Sequence, residues 1–219
     1  MVNRYGATVD FWELMNEVRV DDVWYEHAIA YLQTIDPYRH PISTGFEFAQ
    51  HSGIQINSPH WYQSEQEQDS GLIISQNASS WKLAGKPVIV GEQGNVFQNW
   101  DECSGLRMRL RLWTAMFSEG ALVFWNSARF LPEIHPVGEA ANIYLGPEER
   151  SYIRVVQDFS KHVHSDAVAC NIGASAGVRA YGLCGSGSLH IYVHGFADHS
   201  QPTTQASLQQ LVPKEGSLI

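Results

Sequence analysis

The chain has 219 residues, 44% of them hydrophobic and 17% charged, which suits one substantial packed domain, or a domain with a small module, and not a disordered chain. A formal net charge of −9 argues against nucleic acid, since phosphate binding needs a basic footprint. No apolar run approaches the ~20 residues that span a bilayer, and the opening MVNRYGATVD has no apolar signal core.

The first organised stretch is DFWELMNEV, Asp10 to Val18. Trp12 and Leu14 make it strand-like, Glu13 sits between them, and the run ends on Asn16-Glu17. Asp21-Asp22 then opens a helix whose apolar residues, Trp24, Ala28, Tyr31, Leu32 and Ile35, follow at helical spacing until Asp36-Pro37 ends it. HPISTG, His40 to Gly45, reads as a short strand running into a glycine turn. GIQINSPHWY, Gly53 to Tyr62, reads as a strand with a polar, aromatic end. SGLIISQNASSWKLAG is helical and closes on Gly85. KPVIVGEQG carries the β-branched run Val88-Ile89-Val90 and breaks at Gly91. Leu106, Leu110, Trp113, Met116 and Phe117 mark one face of a long helix that Gly120 ends. ALVFWNS, Ala121 to Ser127, is a further buried strand. GPEERSYIRVVQDFSKHV is a helix with Pro147 at its start and acids in its first turn, as the macrodipole prefers.

Continuously apolar strands that alternate with helices imply a parallel sheet covered on both faces. Past about Asp166 the texture changes to short alternating runs rich in glycine, which predicts an antiparallel β module. The expected boundaries are 1–164 and 165–219. The glycine-rich CGSGS, Cys184 to Ser188, precedes a strand and not a helix, so it is no phosphate loop. The three cysteines, Cys103, Cys170 and Cys184, match no zinc pattern. Cys170 and Cys184 flank strand-like segments and could meet, but the simplest expectation is three reduced thiols. His162, His164, His190, His194 and His199 have no convergent spacing, and solvated or strand-face positions suit them better than metal ligation. No cofactor or metal is expected.

The strands end on polar or aromatic groups: Asn16-Glu17, His60-Trp61-Tyr62, Glu92-Gln93 and Trp125-Asn126. In a parallel α/β barrel the active site lies at the C-terminal ends of the strands. Two carboxylates facing across a barrel mouth are the machinery of glycoside hydrolysis, one held protonated as an acid and the other ionised. WELMNEV resembles strand four of the retaining (β/α)8-barrel glycoside hydrolases of clan A, the cellulase and β-mannanase kind. KPVIVGEQG resembles strand seven, PHWY strand six and ALVFWN strand eight. The resemblance spans about Arg4 to Val163. It implies Glu17 as general acid/base and Glu92 as nucleophile. It further implies Asn16 on the sugar 2-hydroxyl, Tyr62 holding the Glu92 carboxylate, His60 shaping the same subsite and Trp125 stacking on the sugar face. Glu13 is expected inside the barrel, where it must find a partner. Retaining chemistry sets an expected carboxyl separation of ~5–5.5 Å.

On this reading the fold is an incomplete (β/α)8 TIM-type barrel, strands four to eight, followed by a short antiparallel β module. The substrate is a β-linked polysaccharide or oligosaccharide. The chain is then expected to be part of a longer hydrolase and to be a poor enzyme alone, and its compartment stays open. Open edges on the first and last strands favour self-association. A non-catalytic carbohydrate-binding protein, or an inactive fragment of such a hydrolase, is the competing class.

Overall fold

The computed structural model describes residues 1–45, 50–63, 70–82, 85–95, 104–124, 147–195 and 208–210. It opens with a short helix, α1 (Val2–Tyr5), and a 3-10 turn (Gly6–Thr8). The order then runs β1 (Trp12–Asn16), α2 (Asp22–Ile35), β2 (Ile42–Gly45), β3 (Ile56–Asn57), β4 (His60–Gln63), α3 (Ser70–Trp81), β5 (Val88–Asn95), α4 (Ser104–Phe117), β6 (Gly120–Phe124) and α5 (Pro147–Ser160). Five short strands follow: β7 (Val168–Cys170), β8 (Ile172–Ala174), β9 (Val178–Gly185), β10 (Ser188–Gly195) and β11 (Leu208–Gln210).

Strands β1 to β6 form one parallel sheet. β3 and β4 are halves of one run: both lie along β5, and Asn57 and Gly91 bridge the gap through Asn57 N–H to Pro87 O (2.9 Å) and Gly91 N–H to Pro59 O (3.0 Å). Counted as one, they make a five-membered sheet whose strands lie side by side in chain order, β1, β2, β3/β4, β5, β6. That order, with α2, α3 and α4 connecting β1 to β2, β3/β4 to β5 and β5 to β6, is the arrangement of part of a TIM-type barrel.

The helices form where the sequence marks them. The Asp21 side chain accepts the Trp24 amide (2.9 Å) and caps α2, a contact that stabilises a helix by about 1 kcal/mol. Tyr25 and Ile29 on α2 bury against Ile42 and Ile54, with Leu14 and Met15 of β1 packed beside them. α3 stops at Trp81 and Gly85 takes a left-handed φ of 65°, with its amide on Lys82 O (2.8 Å). At the end of α4 the left-handed position falls on Glu119 (φ 63°), one residue before Gly120, which starts β6. α4 is also buried on more than the one expected face. Met108 and Leu112 pack on Val156 of α5, while Arg107 and Arg111 are buried on another side. The Arg111 guanidinium lies 5.5 Å from the Trp61 ring centroid, a cation–π approach that compensates part of its desolvation.

β7, β9 and β10 form an antiparallel sheet, and β8 pairs with β11. An aromatic ladder joins this region to the helices. Trp113 of α4 stacks on Tyr192 of β10 (5.6 Å), and Phe117 stacks on Phe159 of α5 (5.9 Å). Tyr192 in turn stacks on Tyr181 and His194, and Phe159 meets His190 edge-on. The strand-face position expected for His190 and His194 is therefore observed. The expectation of three reduced cysteines is corrected: Cys170 and Cys184 are joined in a disulfide. The register explains it. Val168 faces Cys184 and Cys170 faces Gly182 across β7 and β9, so the two cysteines are diagonal neighbours on one face, with Cα atoms 5.9 Å apart. Cys103 lies outside the described residues. No helix among the described residues is long and apolar enough to cross a membrane.

Candidate active site

Glu17, His60, Tyr62 and Glu92 come together where β1 ends: Glu17 follows β1, His60 and Tyr62 lie in β4, and Glu92 lies in the second half of β5. Parallel pairing does most of this: His60 is the register partner of Glu92, and Tyr62 of Gly94, on adjacent strands. Two irregularities do the rest. The β1–β2 register slips between Glu13 and Asn16, and the β5–β6 register slips between Val90 and Gln93. Such bulges bend a strand and re-aim the next side chain. Immediately after β1, Glu17 takes a left-handed φ of 52°, a conformation that costs a non-glycine residue on the order of 1 kcal/mol or more and that concentrates at functional sites.

His60 Nδ1 lies 3.1 Å from Glu17 Oε1 and 3.6 Å from Glu92 Oε2. One carboxylate oxygen of each glutamate and the ring nitrogen all fall within 4.8 Å of one another. The two glutamates differ in setting. The Glu17 side chain is 50% exposed, whereas that of Glu92 is 10% exposed. The Tyr62 hydroxyl donates a short hydrogen bond to Glu92 Oε2. Burial, then that bond, then the charges of Glu92 and Glu17, push the Tyr62 hydroxyl well above the usual phenol range. A protonated Tyr62 hydroxyl is thereby favoured as the donor that orients Glu92. A hydrogen bond to a charged acceptor of this kind contributes about 1.5–3 kcal/mol.

Glu13 is exposed and not enclosed as expected, but it has found partners. Ser58 Oγ (3.2 Å) and Ser43 Oγ (3.5 Å) both donate to Glu13 Oε2, and both serines are buried. Two glycines make room for this layer. A Cβ at Gly45 would stand 2.8 Å from Met15 O and 3.0 Å from both Glu13 Oε1 and His60 Nε2, and a Cβ at Gly91 would stand 2.3 Å from Ser58 Oγ. The sequence reading named neither serine nor Gly45 as part of the site. Their signal is weak, because small residues on apolar strands read as core filling until the neighbouring strands are in place.

Asn16 ends β1 opposite Gly45 and is exposed, on the same strand end as Glu17. Trp125 lies outside the described residues. Trp61 is half-buried against Arg111, and Trp81, also half-buried, lines a small apolar space with Ile74, Val88 and Val90. Glu17, His60 and Glu92 also form a donor set of one imidazole and two carboxylates, a combination that transition cations accept. Hydrogen bonds within the cluster already account for these atoms. A larger cavity, about 530 Å³, lies at the opposite, N-terminal ends of β1 and β2, beside Trp12, Asp36 and His40, and shares none of the four clustered residues.

No protein-family model matches the sequence, and no curated protein matches it significantly. Solved structures do match. The hyperthermostable endo-1,4-β-D-mannanase from Thermotoga petrophila RKU-1, solved with maltose and glycerol, aligns at a TM-score of 0.50 and 17% identity, over 70% of this chain and 58% of that one. The endo-1,4-β-mannanase from Rhizomucor miehei aligns at 0.48 and 16%, over 64% and 46%. A glycoside hydrolase family 5 mannosidase from the same organism aligns at 0.48 and 13%, over 70% and 52%. The chain spans about half the length of the structures it matches. At such identities the likeness is one of fold, and it agrees with the partial TIM-type sheet described above.

Proposed function

We propose that the chain is a retaining β-glycoside hydrolase, with β1, β2, β3/β4, β5 and β6 corresponding to strands four to eight of an eight-stranded barrel. Residues 1–164 form the catalytic part and 165–219 the β module. The observation that carries the reading is the convergence of Glu17 and Glu92, with His60 between them, where β1 ends. One oxygen of each carboxylate comes within 4.8 Å of the other, which supports the retaining arrangement, with carboxyls ~5–5.5 Å apart. The mannanase neighbours add support for a β-1,4-linked polysaccharide or oligosaccharide as the first substrate to test.

In this mechanism Glu17, on the exposed side, protonates the glycosidic oxygen as the bond to the anomeric carbon breaks. Glu92, oriented by Tyr62, attacks that carbon and forms a glycosyl ester. Glu17, now ionised, takes a proton from water, whose oxygen displaces Glu92 and restores both groups. Asn16 holds the 2-hydroxyl, His60 shapes the subsite and Trp125 supplies a stacking face; Trp125→Ala is expected to weaken sugar binding by about 1–3 kcal/mol. The test is incubation with a 2-deoxy-2-fluoro-β-mannoside bearing a good leaving group, followed by peptide mass analysis. A glycosyl adduct on Glu92, absent in Glu92→Gln, supports the reading. Since the chain alone is expected to be a poor enzyme, the adduct and not steady turnover is decisive: no adduct on Glu92 sinks it.

A second reading is a carbohydrate-binding protein without turnover. It is favoured by the open sheet: among the described strands, β1 pairs only with β2, and β6 only with β5. An open side admits water to a site whose acid must stay protonated, and unpaired edges favour self-association. Sugar-dependent tryptophan fluorescence without an adduct would select this reading, and solution mass would reveal association.

A further inference from the structure

The face of α2 that its sequence marks as apolar is not the one that the fold buries. Tyr25 and Ile29 are enclosed, whereas Trp24 is 41% and Tyr31 65% exposed. At 3.6 residues per turn, Trp24, Ala28, Tyr31 and Ile35 share one flank of the helix, about a quarter turn from Tyr25, Ile29 and Leu32, which face the sheet. The buried residues fix which way that flank points. The Tyr25 hydroxyl meets Thr44 Oγ1 of β2 (3.4 Å). Ile29 leans toward Gly53, in the connection from β2 to β3, so closely that a Cβ there would stand 2.7 Å from Ile29 Cγ2. The apolar flank therefore lies on the opposite side, beside β1, which pairs only with β2 among the described strands. It carries no Asp, Glu, Lys or Arg, whereas Asp22 and Glu26 stand on the other flank of the same helix.

We propose that this flank of α2, together with the free edge of β1, is the interface of a twofold dimer of the chain. A twofold axis perpendicular to the sheet and beside β1 pairs the two β1 strands antiparallel, at the usual spacing of about 4.8 Å. Each α2 lies over its own β1–β2 pair, since it packs on Leu14 and Met15 of β1 and on Ile42 of β2. Its axis therefore stands about one strand spacing, ~4.8 Å, from the twofold axis. The two α2 helices then run antiparallel about 10 Å apart, the separation at which helix surfaces pack. Charge selects the same flank. With a net charge of −9 two copies repel, and this uncharged flank is where they meet with no like charges in contact. The register slip between Glu13 and Asn16 keeps the strand contact short, so Trp24 and Tyr31 are the anchors, in the way aromatic side chains dominate interfaces. One helix flank and one short strand edge per copy place the area at the low end for specific complexes, about 1,200 Å² in total. A reversible dimer is therefore expected. Its face follows from the fold and does not depend on the roles assigned to Glu17 and Glu92.

The test is sedimentation velocity of the full chain from about 1 μM to about 1 mM, with two sets of variants. The wild type is expected to pass from monomer to dimer mass across that range. Trp24→Lys combined with Tyr31→Lys places cations on exposed positions and should weaken the dimer at least about tenfold, with an unchanged circular dichroism spectrum. In a Cys103→Ser background, Ala28→Cys lies level with Leu14 and Met15, close to the twofold axis, and should form a disulfide with its own copy under mild oxidation. Val155→Cys, an exposed position on α5, should not. The cross-link decides the matter even if the double variant folds poorly. A wild type that is monomeric throughout, association undiminished in the folded double variant, or cross-linking of Val155→Cys as fast as that of Ala28→Cys would overturn the proposal. The last two would place the contact elsewhere, as on the β6 edge. No readout involves turnover or the adduct on Glu92, so the dimer and the hydrolase reading stand or fall separately.

Discussion

The sheet carries a carboxylate–histidine cluster at each end, and the two are built differently. At the N-terminal ends of the strands, Asp36 caps α2 and is 5% exposed. It accepts the Tyr38 amide (3.1 Å), the His40 amide (2.9 Å), the His40 ring (2.9 Å) and the Trp12 indole (3.2 Å). Burial alone would raise its pKa, but the backbone and ring donors of His40, the Trp12 indole and the Tyr38 amide outweigh it and hold the carboxyl down at about 2. At the other end, Glu17 and Glu92 meet titratable side chains, His60 and Tyr62. Glu17 also sits in a strained backbone region and is half exposed. Fixed amide donors make a carboxylate a permanent anion that ties a loop to a strand. Titratable donors leave protons free to be exchanged. The comparison teaches that a short carboxylate–histidine contact does not by itself mark chemistry; the nature of the remaining partners does.

The largest expected effect separates the two ends. Glu92→Gln should reduce turnover of a β-1,4-glycan by about 10⁴-fold or more, since an amide forms no glycosyl ester, while Asp36→Asn should leave turnover within a few-fold. Steady-state rates of the two variants measured side by side decide it, and equal losses would erase the distinction drawn here. Next in size, Glu17→Gln should lower turnover of natural glycans by about 10²–10⁴-fold yet spare activated aryl glycosides much more, because a good leaving group needs little protonation. Equal losses on both substrates would remove Glu17 from the acid role.

Smaller effects fall on stability and belong to the other end. Asp36→Asn should lower the melting temperature by a few degrees by loosening Trp12, Tyr38 and His40 together, whereas Glu17→Gln should leave it nearly unchanged, since the Glu17 side chain is half exposed and its left-handed φ is kept by Gln. Thermal unfolding of both variants at pH 7 checks this. The smallest effect is in the acid limb. The folded-state pKa of Asp36 is depressed, so its stabilisation is fully present above the unfolded value of about 3.9 and is lost as pH falls toward about 2. Wild-type melting temperature should fall more steeply than that of Asp36→Asn between those limits, and parallel curves would show that the donors around Asp36 add nothing.

Much of this architecture is legible in the residues. The β-branched run Val88-Ile89-Val90, the Asp21 cap and the spacing of α2 and α5 declare their elements, because burial periodicity and capping act over a few residues. The polar strand ends name Glu17, His60, Tyr62 and Glu92 in the same local way. What lies across strands is another matter. The disulfide depends on which residue of β7 faces which residue of β9, and a shift of one residue would put Cys170 and Cys184 on opposite faces. The buried arginines of α4 depend on packing from several sides, which a single helical period does not encode.

By itself, then, the sequence determined the alternation of strands and helices, the acidic balance, and the residue types at each strand end. The tertiary structure decided the rest: the register that sets His60 beside Glu92, the bulge and left-handed turn that bring Glu17 to the His60 ring, the serines that occupy Glu13, and the pairing of two cysteines. Each of these is a distance between segments far apart in the chain. Only the packing of the sheet sets those distances.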